Sequence, residues 1–203
     1  MSNSKFTLAT AKIIRSLYEF SALNSKGQFC NGWQYRCKNL VSELAYFSEI
    51  EDKVHFVCYL REAKIFCKFS EAAWSIVQGK TDNIYLRENK GSTHGEHIVP
   101  ISLVQRIAFK MLEDSASDEK IANMLSNLVE IVFITKDEKA LLDSSIRNRG
   151  YGLKTAMPPG WNQDVFNHDW SKANRYARLE LAGIKLAQAT INNSLNSNFT
   201  LIF

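Results

Sequence analysis

The chain lacks an apolar run long enough to span a bilayer, so its sequence predicts no transmembrane helix and no membrane partner. It also lacks a secretory signal pattern. Met1-Ser2-Asn3-Ser4-Lys5 does not run from basic to apolar, and the expected location is the cytoplasm. No CxxC pair is present among Cys30, Cys37, Cys58 and Cys67, which argues against a structural zinc site. Cys58 and Cys67 sit in apolar surroundings and read as reduced core thiols. Neither sign of charge dominates: 25 Lys and Arg stand against 21 Asp and Glu, for a net charge of +4. That balance permits a nucleic-acid partner without demanding one. No internal repeat or low-complexity linker interrupts the chain.

What is present is an ordinary globular composition, 45% hydrophobic and 23% charged over 203 residues. This is enough for one domain and too apolar for disorder, except at the ends. Apolar periodicity predicts helices over 8–22 and 33–47. Residues 53–69 are ambiguous, because Val54, Phe56, Cys58 and Leu60 alternate like a strand. Ser70 reads as the N-cap of a helix containing Trp74, Ile76 and Val77, with Gly79 as its C-cap. A polar loop follows over 80–95, containing Arg87, Lys90 and Gly91. Helices are expected over 101–112 and 119–125, a strand over 128–134, and a helix over 136–144 capped by Thr135. Asn148-Arg149-Gly150 and Met157-Pro158-Pro159-Gly160-Trp161 form an irregular loop. Asp169 is expected to cap a helix carrying Trp170, Ala173, Ala177, Leu181 and Ile184. The segment 199–203 docks as a strand or frays. The organisation expected is a mainly helical N-terminal region over 1–80, a second region over 81–190 and a tail over 191–203, together one compact unit.

Chemistry concentrates in Gly95-Glu96-His97-Ile98-Val99-Pro100. An acid able to hold a metal ion stands beside a histidine able to take a proton from water, ahead of a stretch biased to extended backbone. Adjacent strand residues point to opposite faces, so the two side chains must act from different sides. Other readings stand beside this one. His97 could be a core histidine hydrogen-bonded near a partly buried Glu96. Asp137 and Glu138 could simply favour a helix N-terminus through its dipole. His94 could be a second ligand or a solvated loop histidine, while His55 and His168 have no supporting neighbours. Arg147, Arg149, Lys154, Arg175 and Arg178 could neutralise backbone phosphates or form an ordinary salt-bridged surface. Trp161 and Trp170 read as core residues sooner than as base-stacking platforms.

Glu96-His97-Ile98-Val99-Pro100, a helix, a strand over 129–134 and then Thr135-Lys136-Asp137-Glu138 together resemble the HNH, or ββα-metal, nuclease superfamily. Leu153-Lys154-Thr155-Ala156-Met157-Pro158, Gly160-Trp161, Arg175-Tyr176 and Ala182-Gly183-Ile184 resemble the later pattern of a bacterial HNH endonuclease-like branch. The resemblance covers 70–185 and leaves the N-terminal part unmatched. It implies an α+β fold, mainly helical, with an embedded ββα-metal hairpin-plus-helix core. It implies a metal-dependent endonuclease that hydrolyses DNA phosphodiester bonds and leaves 5′-phosphates, with RNA as the other candidate substrate. In that reading His97 is the general base, and Glu96 with Asp137 or Glu138 holds Mg²⁺ or Mn²⁺. Cleavage of both strands would require a homodimer or two successive events. The chain departs from the pattern twice. Lys139 stands where the last helix would offer a His, Asn or Asp ligand, and Asn127 is the one candidate for the central asparagine. The first departure weakens the metal assignment and favours the alternative, a catalytically inactive nucleic-acid-binding or protein-interaction module on the same scaffold; the second bears on the orientation of the histidine.

Overall fold

The computed structural model describes residues 5–23, 31–50, 53–81, 84–86, 93–161 and 169–187. The architecture is mixed α+β. Helices α1 (Lys5–Leu23) and α2 (Asn31–Leu44) lead into strands β1 (Phe47–Ile50) and β2 (Lys53–Phe56). These are followed by α3 (Leu60–Phe66), β3 (Lys68–Phe69), α4 (Glu71–Val77) and β4 (Thr93–His97). Two longer helices, α5 (Ile101–Glu113) and α6 (Asp118–Leu128), precede β5 (Ile131–Thr135) and α7 (Lys136–Asp143). The described C-terminal part adds two short 3₁₀ turns, Ile146–Asn148 and Trp170–Lys172, and the helix α8 (Ala177–Leu181).

The sheet that positions the site has the order β3-β5-β4, with β5 parallel to β3 and antiparallel to β4. Its centre, Ile131-Val132-Phe133-Ile134, is an unbroken apolar run because both of its faces are covered. Val132 and Ile134 join the larger core, which draws residues from α1, α2, α5, α6, α7 and α8. Ile131 and Phe133 join a smaller cluster with Leu60, Ala63, Phe69, Ala73 and Val77. Each buried aliphatic side chain of this kind contributes about 1.5–3 kcal/mol, so the central strand anchors both halves of the core. Helix α1 lies on α6, fixed by Arg15 Nε donating to Asp118 Oδ1 at 2.6 Å, and α2 lies against α1 and α5. No described helix is long and apolar enough to cross a membrane.

Local chemistry explains most of the boundaries. Ser70 caps α4 by accepting from the Ala73 N–H at 3.0 Å. Thr135 and Glu138 form a capping box on α7, a device that satisfies two otherwise orphaned N–H groups. Gly183, at φ +69°, ends α8 in the left-handed conformation. The Ile184 N–H then reaches the Leu179 carbonyl and the Gly183 N–H reaches that of Glu180, which is a Schellman closure.

Four expectations are corrected. The second helix stops at Leu44 rather than 47, and Phe47–Ile50 instead pairs antiparallel with β2. Gly79 is not the C-cap of α4; Gln78 holds that position in ordinary helical conformation. The helix expected from Asp169 is broken. Asp169 makes no capping bond but engages Ser171 and Lys172, and Asn174 Oδ1 accepts from the Tyr176 N–H, so regular helix starts only at Ala177. Finally, β4 and β5 are adjacent and antiparallel, but α5 and α6 lie between them in the chain, so they do not form a tight-turn hairpin. Cys30, Arg87, Lys90, Gly91, His168 and the segment 199–203 lie outside the described residues.

Candidate functional site

Strand β4 decides where the Glu96-His97 pair points. Its register sets Glu96 opposite Val132 and His97 opposite Ile131, so the two side chains lie on opposite faces of the sheet. The Ile98 N–H donates to the Glu130 carbonyl at 3.1 Å. By the alternation of an antiparallel ladder, the backbone groups of His94 and Glu96 then face β5, and those of Thr93, Gly95 and His97 face outward. Among the described strands, β4 is an edge of its sheet.

On the first face, Glu96 is buried, with 9% of its surface exposed, and faces two cations and a histidine. Arg178, 1% exposed, donates from Nη2 to Glu96 Oε1 at 2.8 Å and from Nη1 to the His97 carbonyl at 3.2 Å. One guanidinium therefore clasps both the side chain and the outward backbone edge of β4. Glu96 Oε2 lies 3.4 Å from His94 Nε2 and 3.9 Å from Lys139 Nζ. Burial pushes the Glu96 carboxyl up, but the hydrogen bond from His94, the Arg178 guanidinium and the Lys139 ammonium outweigh it, and its pKa falls below the ordinary glutamate value. Lys139 also pairs with Asp143 one turn further along α7, so its ammonium lies between two carboxylates.

On the second face, His97 packs under the end of α2. Its Nε2 is 3.0 Å from Ser42 Oγ, and its Nδ1 is buried with no hydrogen-bond partner among the described residues. Burial is the main reason its pKa drops to about 4; the charge of Glu96 opposes the drop, while His94, Arg178 and Lys38 add to it. The imidazole is therefore neutral near pH 7. Neither ring nitrogen faces open solvent: one is taken by Ser42 and the other is enclosed.

The two carboxylates expected from α7 are placed elsewhere. Glu138 Oε2 accepts from the Thr135 N–H and from Ser70 Oγ, both at 2.7 Å, which ties α7 to the start of α4. Asp137 is exposed in the first turn of α7. Among the described residues no three His, Cys, Asp or Glu side chains converge as a metal-binding group. The side chains present do not fit a divalent ion beside Glu96. Both of its oxygens already face cationic or hydrogen-bonding groups, and the nearest group from α7 is the Lys139 ammonium. Asn127 donates back within α6 to the Asn123 carbonyl and does not reach His97 through any bond among the described residues.

The basic residues separate into two sets. Arg147, Arg149 and Lys154 are exposed on the segment after α7, with no ion pair found for them among the described residues. That segment is held in place: a Cβ at Gly150 would lie 2.3 Å from the Ser144 carbonyl oxygen, so only glycine fits there. Arg175 and Arg178 are instead drawn into the protein. Arg175 Nη2 pairs with Glu130 at 3.2 Å, and its guanidinium lies 5.2 Å from the centre of the Tyr176 ring. The residues not foreseen in their present roles are Arg178, Ser42 and Asp143. Only Asp143 left a readable signal, its i, i+4 spacing from Lys139. No protein-family model, no curated protein and no solved structure matches this chain.

Proposed function

We propose that the chain is a nucleic-acid-binding module on an HNH-like β4–β5–α7 scaffold that works without a divalent metal. The observation that carries this reading is Lys139. At the helix position where the resemblance calls for a metal ligand, an ammonium lies 3.9 Å from Glu96 Oε2 and pairs with Asp143 as well. A cation supplied by the protein neutralises Glu96 there. Arg178 strengthens the same balance from the other side. Glu96, in this account, braces the edge of β4 against α7 and α8 and does not bind an ion. Arg147, Arg149 and Lys154 provide a charged, solvent-facing surface for phosphates, an interaction that is independent of sequence and weakened by salt.

A second reading keeps catalysis: a metal-dependent endonuclease acting on DNA, with His97 as general base. Its specific support is the neutral state of His97 and the β4–β5–α7 order. One experiment separates the two. Binding of a labelled duplex is followed by anisotropy with Mg²⁺, with Mn²⁺ and with EDTA, alongside nicking of a supercoiled plasmid. The binding module predicts equal affinity with EDTA and an intact plasmid in every buffer. EDTA-sensitive nicking that disappears in His97→Ala would establish the nuclease instead.

A further inference from the structure

On the His97 face of β4, a cavity of about 220 Å³ opens between the strand edge, the end of α2, the β2 exit and the segment 84–86. Its walls include Tyr46, Phe56, Tyr85 and Phe133, and its floor is Thr93-His94-Gly95. We propose that this cavity binds a single unstacked nucleobase; the proposal rests on the nucleic-acid reading above and adds a site to it.

Three features point to that class of ligand. The first is size. Pockets for drug-sized ligands run from about 300 Å³ upward, so this one suits a single planar ring system. The second is the wall. Four aromatic side chains line one small space, and aromatic rings are the platforms on which bases stack regardless of sequence. The third is the floor. The outward-facing backbone of Thr93 and Gly95 presents N–H and C=O groups along a strand edge, and a base edge carries donors and acceptors to match. Gly95 makes the floor possible. A Cβ there would lie 3.3 Å from both the Tyr46 hydroxyl and Ile131 Cγ2, so a larger residue would push on the wall. The far wall is also anchored, because Leu60 N–H donates to the Ile84 carbonyl and Leu86 N–H to that of Cys58, bracketing Tyr85.

The test uses the full chain and two probes. Adenosine and uridine 5′-monophosphate are titrated while the Gly95 and Thr93 amide signals are followed by NMR. Separately, a single-stranded 12-mer is compared with the same strand carrying abasic positions. The inference predicts shifts at both amides and about tenfold weaker binding of the abasic strand. It also predicts about tenfold weaker nucleotide binding in Tyr85→Ala, with a spectrum that otherwise matches the wild type. Gly95→Ala is the second variant, pressing on the floor and on the Tyr46 hydroxyl while leaving Tyr85 unchanged. Equal affinity for intact and abasic strands, with unmoved amides, would overturn the pocket and leave the nucleic-acid reading standing. Failure of both strands to bind would overturn that reading, and the nucleotide titration would then decide the pocket alone: shifts that Tyr85→Ala weakens sustain it as a nucleotide site, and their absence removes it.

Discussion

The two faces of β4 solve the problem of a buried ionisable group in opposite ways. On one face Glu96 keeps its charge because Arg178, His94 and Lys139 surround it. On the other, His97 gives up its charge because burial outweighs the attraction of Glu96. One residue apart in sequence, the pair therefore diverges toward an ion-paired carboxylate and a neutral imidazole. Adjacency along a strand places two groups in two environments, and the environments, more than the residue types, set what each can do.

The largest effect should come from breaking the charged face. Arg178→Ala leaves Glu96 buried without its main partner, at a cost of about 3–5 kcal/mol. Thermal unfolding should then fall by about 10 °C. Replacing both residues, Glu96→Leu with Arg178→Met, should recover most of that loss, since a well-packed apolar pair avoids the desolvation cost. A double variant as unstable as Arg178→Ala alone would show that Glu96 is held by something other than charge balance.

The neutral face should appear in the pH dependence. His97 titrates near 4 in the folded protein against an ordinary value near 6.5, so its contribution is complete above pH 6.5 and is lost as pH falls toward 4. The loss amounts to roughly 3 kcal/mol, read as a shift in the urea midpoint. Glu96 behaves differently: its depressed pKa leaves its contribution intact until pH drops below the ordinary glutamate range. In His97→Gln the slope between pH 6.5 and 4 should flatten. An unchanged slope would assign it to other groups.

Smaller effects test the periphery. Glu138→Ala removes half of a capping box and the partner of Ser70 Oγ, and should cost about 1 kcal/mol by urea denaturation. A metal ligand would instead show a loss of stability that depends on added Mg²⁺. The triple change Arg147→Ala, Arg149→Ala, Lys154→Ala should shift stability by no more than about 0.5 kcal/mol. It should also reduce the salt slope of duplex binding by up to about 2–3. A salt slope that stays the same would move the phosphate-binding surface elsewhere.

The fold was legible where one local device decides the outcome. The Thr135 cap, the apolar run over 131–134 and the Ser70 cap each announce an element through its own residues. The break between Trp170 and Ala177 was not legible, because it depends on Asn174 turning its side chain to the Tyr176 N–H in place of continuing a helix. Within the site, the divergence of Glu96 and His97 followed from strand alternation alone. Their partners did not. Arg178 is 82 residues from Glu96 and Ser42 is 55 from His97, and contacts at that range depend on tertiary packing that no local pattern encodes. Lys139 was visible as a departure from the resemblance, but its meaning came from the Glu96 and Asp143 carboxylates on either side of it.

Paramagnetic broadening by Mn²⁺ tests the central claim most directly. With the side chains of Glu96, His94 and Lys139 assigned by NMR, the wild-type protein at millimolar Mn²⁺ should show no broadening centred on Glu96, whereas Lys139→Asp, which replaces the ammonium with a third carboxylate, should. Selective broadening of Glu96 in the wild-type protein would contradict the account, because it would mean that Lys139 gives way to a metal ion.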